Sequence, residues 1–345
     1  MGLLARLVTL GPHAGAHRIA IRASVSVLVP LLVLLWTGHL EWSIYAVFGA
    51  FTSLYGRERT DRARLTLQVE AGVTQVAVVT LGVLVGISDQ RAWISIPIAA
   101  AVAVGASYES TRRGWHPPGS LFQVFGFAAV ASAPATGADV LPAVLVAGGS
   151  ALFSVLVGIA GPAVRRVRLA PGPPALPDRP IGGAVEGVWR YALQSGAGVL
   201  VAGSIATSAG IGRPYWAMVS AVVPLVARDL SVQLTRGLHR VIGTGLGLLV
   251  AWALFALDVQ GLALVLLVAA LQAGAELLVG RNYALALVCV TPLALLMVHL
   301  VAPVPTHELL ADRGVETVIG VAVGVAVGYL SRPRLSEAIR ARVAR

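Results

Sequence analysis

Long runs of apolar residues without a single charge decide what this chain can fold into. Several stretches of roughly 15 to 20 residues, such as 71–87 and 261–275, approach the length that carries a helix through a bilayer. Across the 345 residues 57% are apolar and only 12% charged, against about a quarter charged in an ordinary soluble domain. A soluble core cannot hide that much apolar surface. A bilayer can, and there a helix satisfies its own backbone hydrogen bonds. The fold class read from the sequence is an all-α polytopic membrane protein with about twelve transmembrane helices.

The expected spans are 21–36, 42–55, 65–87, 92–107, 120–133 and 140–164, then 188–209, 215–227, 241–257, 261–278, 284–301 and 315–330. Charge tests the count independently, because one span too many would scramble the alternation of basic and neutral loops. All 26 basic residues are Arg. With the N-terminus inside, only Arg91, Arg213 and Arg313 fall outside, which predicts a multi-pass inner (plasma) membrane protein with both termini cytoplasmic. The formal charge of +10 therefore reports topology and not nucleic acid. Membrane lipid is the expected surrounding, and the oligomeric state stays open, a homo-oligomer included.

The Pro-rich segment from Arg165 to Pro180 divides six spans from six. The string starting at His17 (HRIAIRASVSVLV) resembles that starting at Trp189 (WRYALQSGAGVLV), with Arg18 on Arg190; further on Trp42 matches Trp216 and Glu109 matches Glu276. An even number of spans in each half makes the two six-helix repeats parallel, with the cleft between them as the natural pathway. The expected organisation is a first membrane repeat over 1–164, a cytoplasmic linker over 165–184, a second repeat over 185–331 and a basic tail over 332–345.

Enzyme and metal signatures do not occur: there is no G-x-S-x-G, no H-E-x-x-H and no phosphate loop with its Lys. Cys289 is the sole cysteine, and no cofactor is implied. Two expected spans at matching positions, 42–55 and 215–227, are too short to cross, and Pro224 interrupts the second. Such pairs mark binding sites in repeat-built transporters. Trp42 and Trp216 read as interfacial anchors, whereas Tyr45, Phe48 and Tyr215 are candidates for contacting an aromatic ring. Arg228 and Arg240 follow the second short span as candidate anion ligands, with Thr244 in the adjoining Gly-rich stretch; a plain topology signal is the competing reading. Acids inside spans are costly and usually functional, as Glu70, Glu109, Glu276 and Glu316 would be; the repeat singles out Glu109 and Glu276 as candidate proton carriers, with a helix-end salt bridge to Arg112 as the alternative for Glu109.

Tyr215-Trp216, then Pro224, then Arg240 with Gly243-Thr244 and Gly247, and finally Gly280-Arg281-Asn282-Tyr283-Ala284 resemble the FUSC family, the fusaric acid resistance-like and aromatic acid exporter proteins. The likeness is strongest from about Trp189 to Leu330 and fainter through Trp42 and the Arg57 to Arg64 loop. The resemblance implies an exporter of aromatic or related organic acids, with a small organic anion as substrate; since no ATP motif occurs, the proton gradient is the expected driving force. A passive anion channel of the same architecture and a non-transporting membrane scaffold stand as alternatives.

Overall fold

The computed structural model describes residues 7, 9–13, 15–56, 61–167, 187–227, 229–301 and 304–332, with side chains described outside 61 and 161–167. Arg228, most of the linker and nearly all of the tail lie outside the described residues.

Twelve α-helices run through the described residues, joined by short 3-10 turns: α1 Ala16–Thr37, α2 Ser43–Ala50, α3 Asp61–Gly86, α4 Arg91–Arg113, α5 Leu121–Ser132, α6 Val140–Val167, α7 Val188–Ser208, α8 Tyr215–Leu225, α9 Leu230–Ala256, α10 Gly261–Val279, α11 Tyr283–Val301 and α12 Thr306–Leu330. Local chemistry places their ends. Asp229 caps α9, its Oδ1 accepting the N–H groups of Ser231 at 2.7 Å and Val232 at 3.3 Å. Asn282 does the same for α11 at the N–H groups of Ala284 and Leu285. Gly38 closes α1 at φ 79°, where any side chain would be strained.

The long helices turn their large apolar side chains outward and their small residues inward. On α6, Leu141, Leu145, Leu152 and Leu156 are exposed while Ala143, Ala147, Ser150 and Ser154 are buried. That inversion of the soluble pattern is how helices meet when lipid covers the outside. Seven helices among the described residues are long and apolar enough to cross a membrane. The expectation of twelve crossing spans is corrected to that extent. Helices α2, α5 and α8 have 8, 12 and 11 residues, about 12 to 18 Å of rise against roughly 30 Å of hydrocarbon. Helices α7 and α12 are longer, but α7 carries Arg190, Gln194 and several hydroxyls, and α12 carries Glu308, Asp312, Arg313 and Glu316.

The short helices survive because they are interior. Every residue of α8 is buried, as is nearly all of α2. Their ends are closed by protein: Gln68 Nε2 on α3 donates to the Tyr55 carbonyl beyond α2 at 3.3 Å, and Gln233 Nε2 on α9 donates to the Ala227 carbonyl beyond α8 at 2.7 Å. Helix α3 packs on α5 and α6 as α9 packs on α11 and α12, and α2 meets α6 as α8 meets α12. The two sets join through α4 on α7 and α1 on α10.

The connecting segments gather at two ends. At one, Gly11 bonds Arg281, Gly56 bonds His116, and Arg190 bonds the Ser331 carbonyl. At the other, Ala135 bonds Gly86 and Arg213 pairs with Asp312 at 3.1 Å.

Candidate functional site

The capped start of α9 commits ten residues of helix before Arg240, about 15 Å along the axis. Gln233, Gly237, Arg240, Thr244, Gly247 and Ala251 share its buried face, at the three- and four-residue spacing of one helical stripe. Arg240 therefore stands inside the fold at 3% exposure. The sequence reading had placed it at a span's mouth, because the polar first turns of α9 look like a loop. Its Nε donates to Ser220 Oγ at 3.3 Å and its Nη1 to the Tyr283 hydroxyl at 3.1 Å. Thr244 lies one turn further on, fully buried, its hydroxyl without a hydrogen-bond partner among the described residues.

A second guanidinium shares this interior. Arg313, third turn of α12, is 1% exposed and lies over the ring of Trp216 with 3.9 Å from Cζ to the ring centroid. A cation on an indole face is a favourable contact once water is excluded. Arg313 Nε and Nη1 nonetheless have no hydrogen-bond partner among the described residues. Glu316, on the same face, accepts the backbone N–H of Arg213 through Oε1 at 3.2 Å, while its Oε2 has no partner there. Arg313 feels the fields of Arg240, Tyr215, Tyr283 and Glu316, so these groups form one electrostatic cluster between α8, α9, α11 and α12.

Trp216 is thus corrected from interfacial anchor to a fully buried ring at the centre of the site. Behind it, Phe125 is 5.1 Å from its ring centroid and 5.0 Å from that of Phe48, with Tyr215 4.6 Å from Trp216. Phe48 and Phe125 also line a small apolar cavity with Phe51, Leu293 and Met297. The structure brings Arg240, Thr244, Tyr215 and Phe48 into this continuous region. It does not bring in Tyr45, which is half-buried and senses Asp139 at the opposite end of α2.

The two acids separate in environment. Glu109 is at the surface, bonded by Arg113 Nε at 2.7 Å, and Arg113 also holds Glu70 at 2.5 Å. The salt bridge thus forms one residue later than Arg112, at the four-residue spacing. Glu276 is 6% exposed, with Gln272 Nε2 at 3.4 Å from its Oε1.

Sequence reasoning missed Arg313, while Glu316 stands among its span acids without a role beside the cations. It counted Arg313 as an outer-loop charge, since the apolar run begins after it. The available clue was the stripe Leu309, Arg313, Glu316, Gly320, Gly324 and Gly328, which lies on one helical face and is buried throughout. The first set of helices lacks the charge. Seven residues beyond Gln68 and Gln233 stand Gln75 and Arg240, and Gln75 Nε2 spends its donor on the Phe48 carbonyl at 3.3 Å.

Residues 184–327 match the family described as fusaric acid resistance protein-like, the family whose motifs the sequence resembles, and this stretch contains the whole cationic cluster. The chain is 29% identical over 163 residues to an uncharacterized membrane protein, YvaC, of Bacillus subtilis (strain 168), a match covering 43% of this chain. The matched stretch spans 25% of that relative's length. No solved structure matches.

Proposed function

We propose that this helical membrane protein, fusaric acid resistance protein-like through its second half, is an inner-membrane transporter that exports organic anions, aromatic carboxylates foremost. One observation carries the reading: Arg240 is buried and held in place by Ser220 and Tyr283, in a face lined with small residues. A guanidinium is expensive to bury, and a charge used only for topology would remain in a loop, where water solvates it. Thr244, Tyr215 and Phe48 extend the site, and Arg228 and Tyr45 stay candidates from the sequence alone. The matched pairings of α3 with α9 partners, and of α4–α7 with α10–α1, support two parallel repeats about an axis normal to the membrane.

Flux of labelled benzoate in proteoliposomes, with and without an imposed proton gradient, tests the function. Uphill export that requires the gradient supports the transporter. Dissipation of an anion gradient without proton movement favours the channel, and no flux for any acid favours the scaffold.

Coupling by Glu109 or Glu276 belongs to the same proposal, and the structure's burial of Glu276 makes it the stronger of the two. Glu276→Gln is expected to abolish uphill export and spare exchange of benzoate down its own gradient. Glu109→Gln is expected to change neither. An unchanged uphill rate in the double variant eliminates both residues.

Both termini are proposed to be cytoplasmic, from the Arg asymmetry. In a Cys289→Ala background, cysteines at Ser88, Thr136 and Thr306 should react with an impermeant thiol reagent in intact cells, and one at Ala175 should not. Labelling at Ala175 with silence at Thr136 reverses the orientation.

A further inference from the structure

We propose that Arg313 is the second ligand of the anion site, so that Arg240 and Arg313 together hold one monovalent carboxylate whose ring lies toward the apolar cavity. The inference rests on the transport reading above and adds the residue and the charge of the substrate.

A fully buried guanidinium whose Nε and Nη1 have no hydrogen-bond partner among the described residues is costly, and a ligand that completes it offsets that cost. The stack on Trp216 uses the face of the Arg313 guanidinium and leaves its N–H groups, which lie in the plane, to be matched by something else. Glu316 does not match them: one of its oxygens is spent on the Arg213 N–H, and among the described residues no ion pair joins it to Arg313 or Arg240. Arg213 and Asp312 neutralise each other at 3.1 Å. Counted at formal charge, that leaves Arg240 and Arg313 against Glu316, one net positive charge, which a monocarboxylate cancels and a dicarboxylate overshoots. A buried site with uncancelled charge binds poorly.

The position of the ring follows from Trp216. Trp216 contacts both the Arg313 guanidinium and Phe125, and Phe125 walls the cavity shared with Phe48, Phe51, Leu293 and Met297. A carboxylate on the cations therefore directs an attached aromatic or other apolar group past Trp216 toward this apolar cavity, which at about 20 Å³ must widen by side-chain movement to admit a whole ring. The Tyr283 hydroxyl, already bonded to Arg240 and within the field of Arg313, sits where it can donate to the same carboxylate.

Calorimetric titration of the purified full-length protein with benzoate, terephthalate and benzylamine tests this. Benzoate is expected to bind, terephthalate at least tenfold more weakly, and benzylamine not at all. Arg313→Gln is expected to weaken benzoate at least tenfold. If that variant fails to fold because Glu316 is left alone, the double variant Arg313→Gln, Glu316→Gln removes both charges and is expected to fold and lose benzoate. Wild-type benzoate affinity in whichever of these folds overturns the role of Arg313, and if Arg240→Gln still weakens binding, the transport reading survives without it. Equal affinity for terephthalate overturns the single-charge site. Absence of benzoate binding in the wild-type protein takes both readings down.

Discussion

Arg240→Gln is expected to lower benzoate transport tenfold to a hundredfold at sub-saturating substrate while leaving insertion and folding intact. A charge-assisted bond to a carboxylate is worth about 1.5 to 3 kcal/mol, and each 1.36 kcal/mol is one decade. Folding should tolerate the change because the corresponding place on α3 already holds Gln75, buried and bonded to a backbone carbonyl. Losing the guanidinium also frees Ser220 and the Tyr283 hydroxyl, which the shorter amide reaches only in part. The measurement is initial flux in proteoliposomes at matched protein content. Normal transport by Arg240→Gln would assign the residue to packing alone.

Gly324→Val is expected to cause a large loss of stability. A Cβ at Gly324 would collide with the Ala221 carbonyl, and one at Gly320 with the Ala217 carbonyl and the Ser220 side chain. Both obstacles include backbone of α8, which cannot rotate away as a side chain can. The two helices would have to separate, moving Trp216 from beneath Arg313. Overpacking of this kind costs about 1 to 3 kcal/mol at one site, and the Gly320→Val, Gly324→Val pair should exceed either alone because both strain the same contact. Thermal unfolding in detergent should show a lowered midpoint for Gly324→Val. Gly245→Val is the control, since a Cβ there meets nothing within 4 Å, and its midpoint should be unchanged. An unshifted midpoint for Gly324→Val would mean that α8 and α12 do not pack this closely.

Much of the architecture was legible because its cause is local. Apolar runs announce helices, and twelve of them formed near their expected places, the short pair α2 and α8 among them. The site was legible only where a residue type is unusual in its run. Arg240 stood out beside Gly243-Thr244, and Tyr215 and Phe48 stood out as aromatics on short helices. Arg313 did not, because an Arg at the end of an apolar run reads the same whether the helix begins before it or after it. Trp216 misled for a related reason: interfacial belts and buried sites draw on the same side chains.

What the sequence determined by itself was the solvent, the helical class and the division of loops by charge, since each depends on composition within about one span. Tertiary structure decided which helices stay inside and which face lipid. Hydropathy cannot separate α8 from α10, as both are strongly apolar over most of their length, yet α8 is wholly buried and α10 is not. The difference lies in the small residues of other helices, Gly320 and Gly324 above all, that let α8 be enclosed. The same enclosure brings Arg240 and Arg313, 73 residues apart in the chain, into one electrostatic cluster. Coulomb interaction depends on distance and on the dielectric between the charges, and neither exists until the helices have packed.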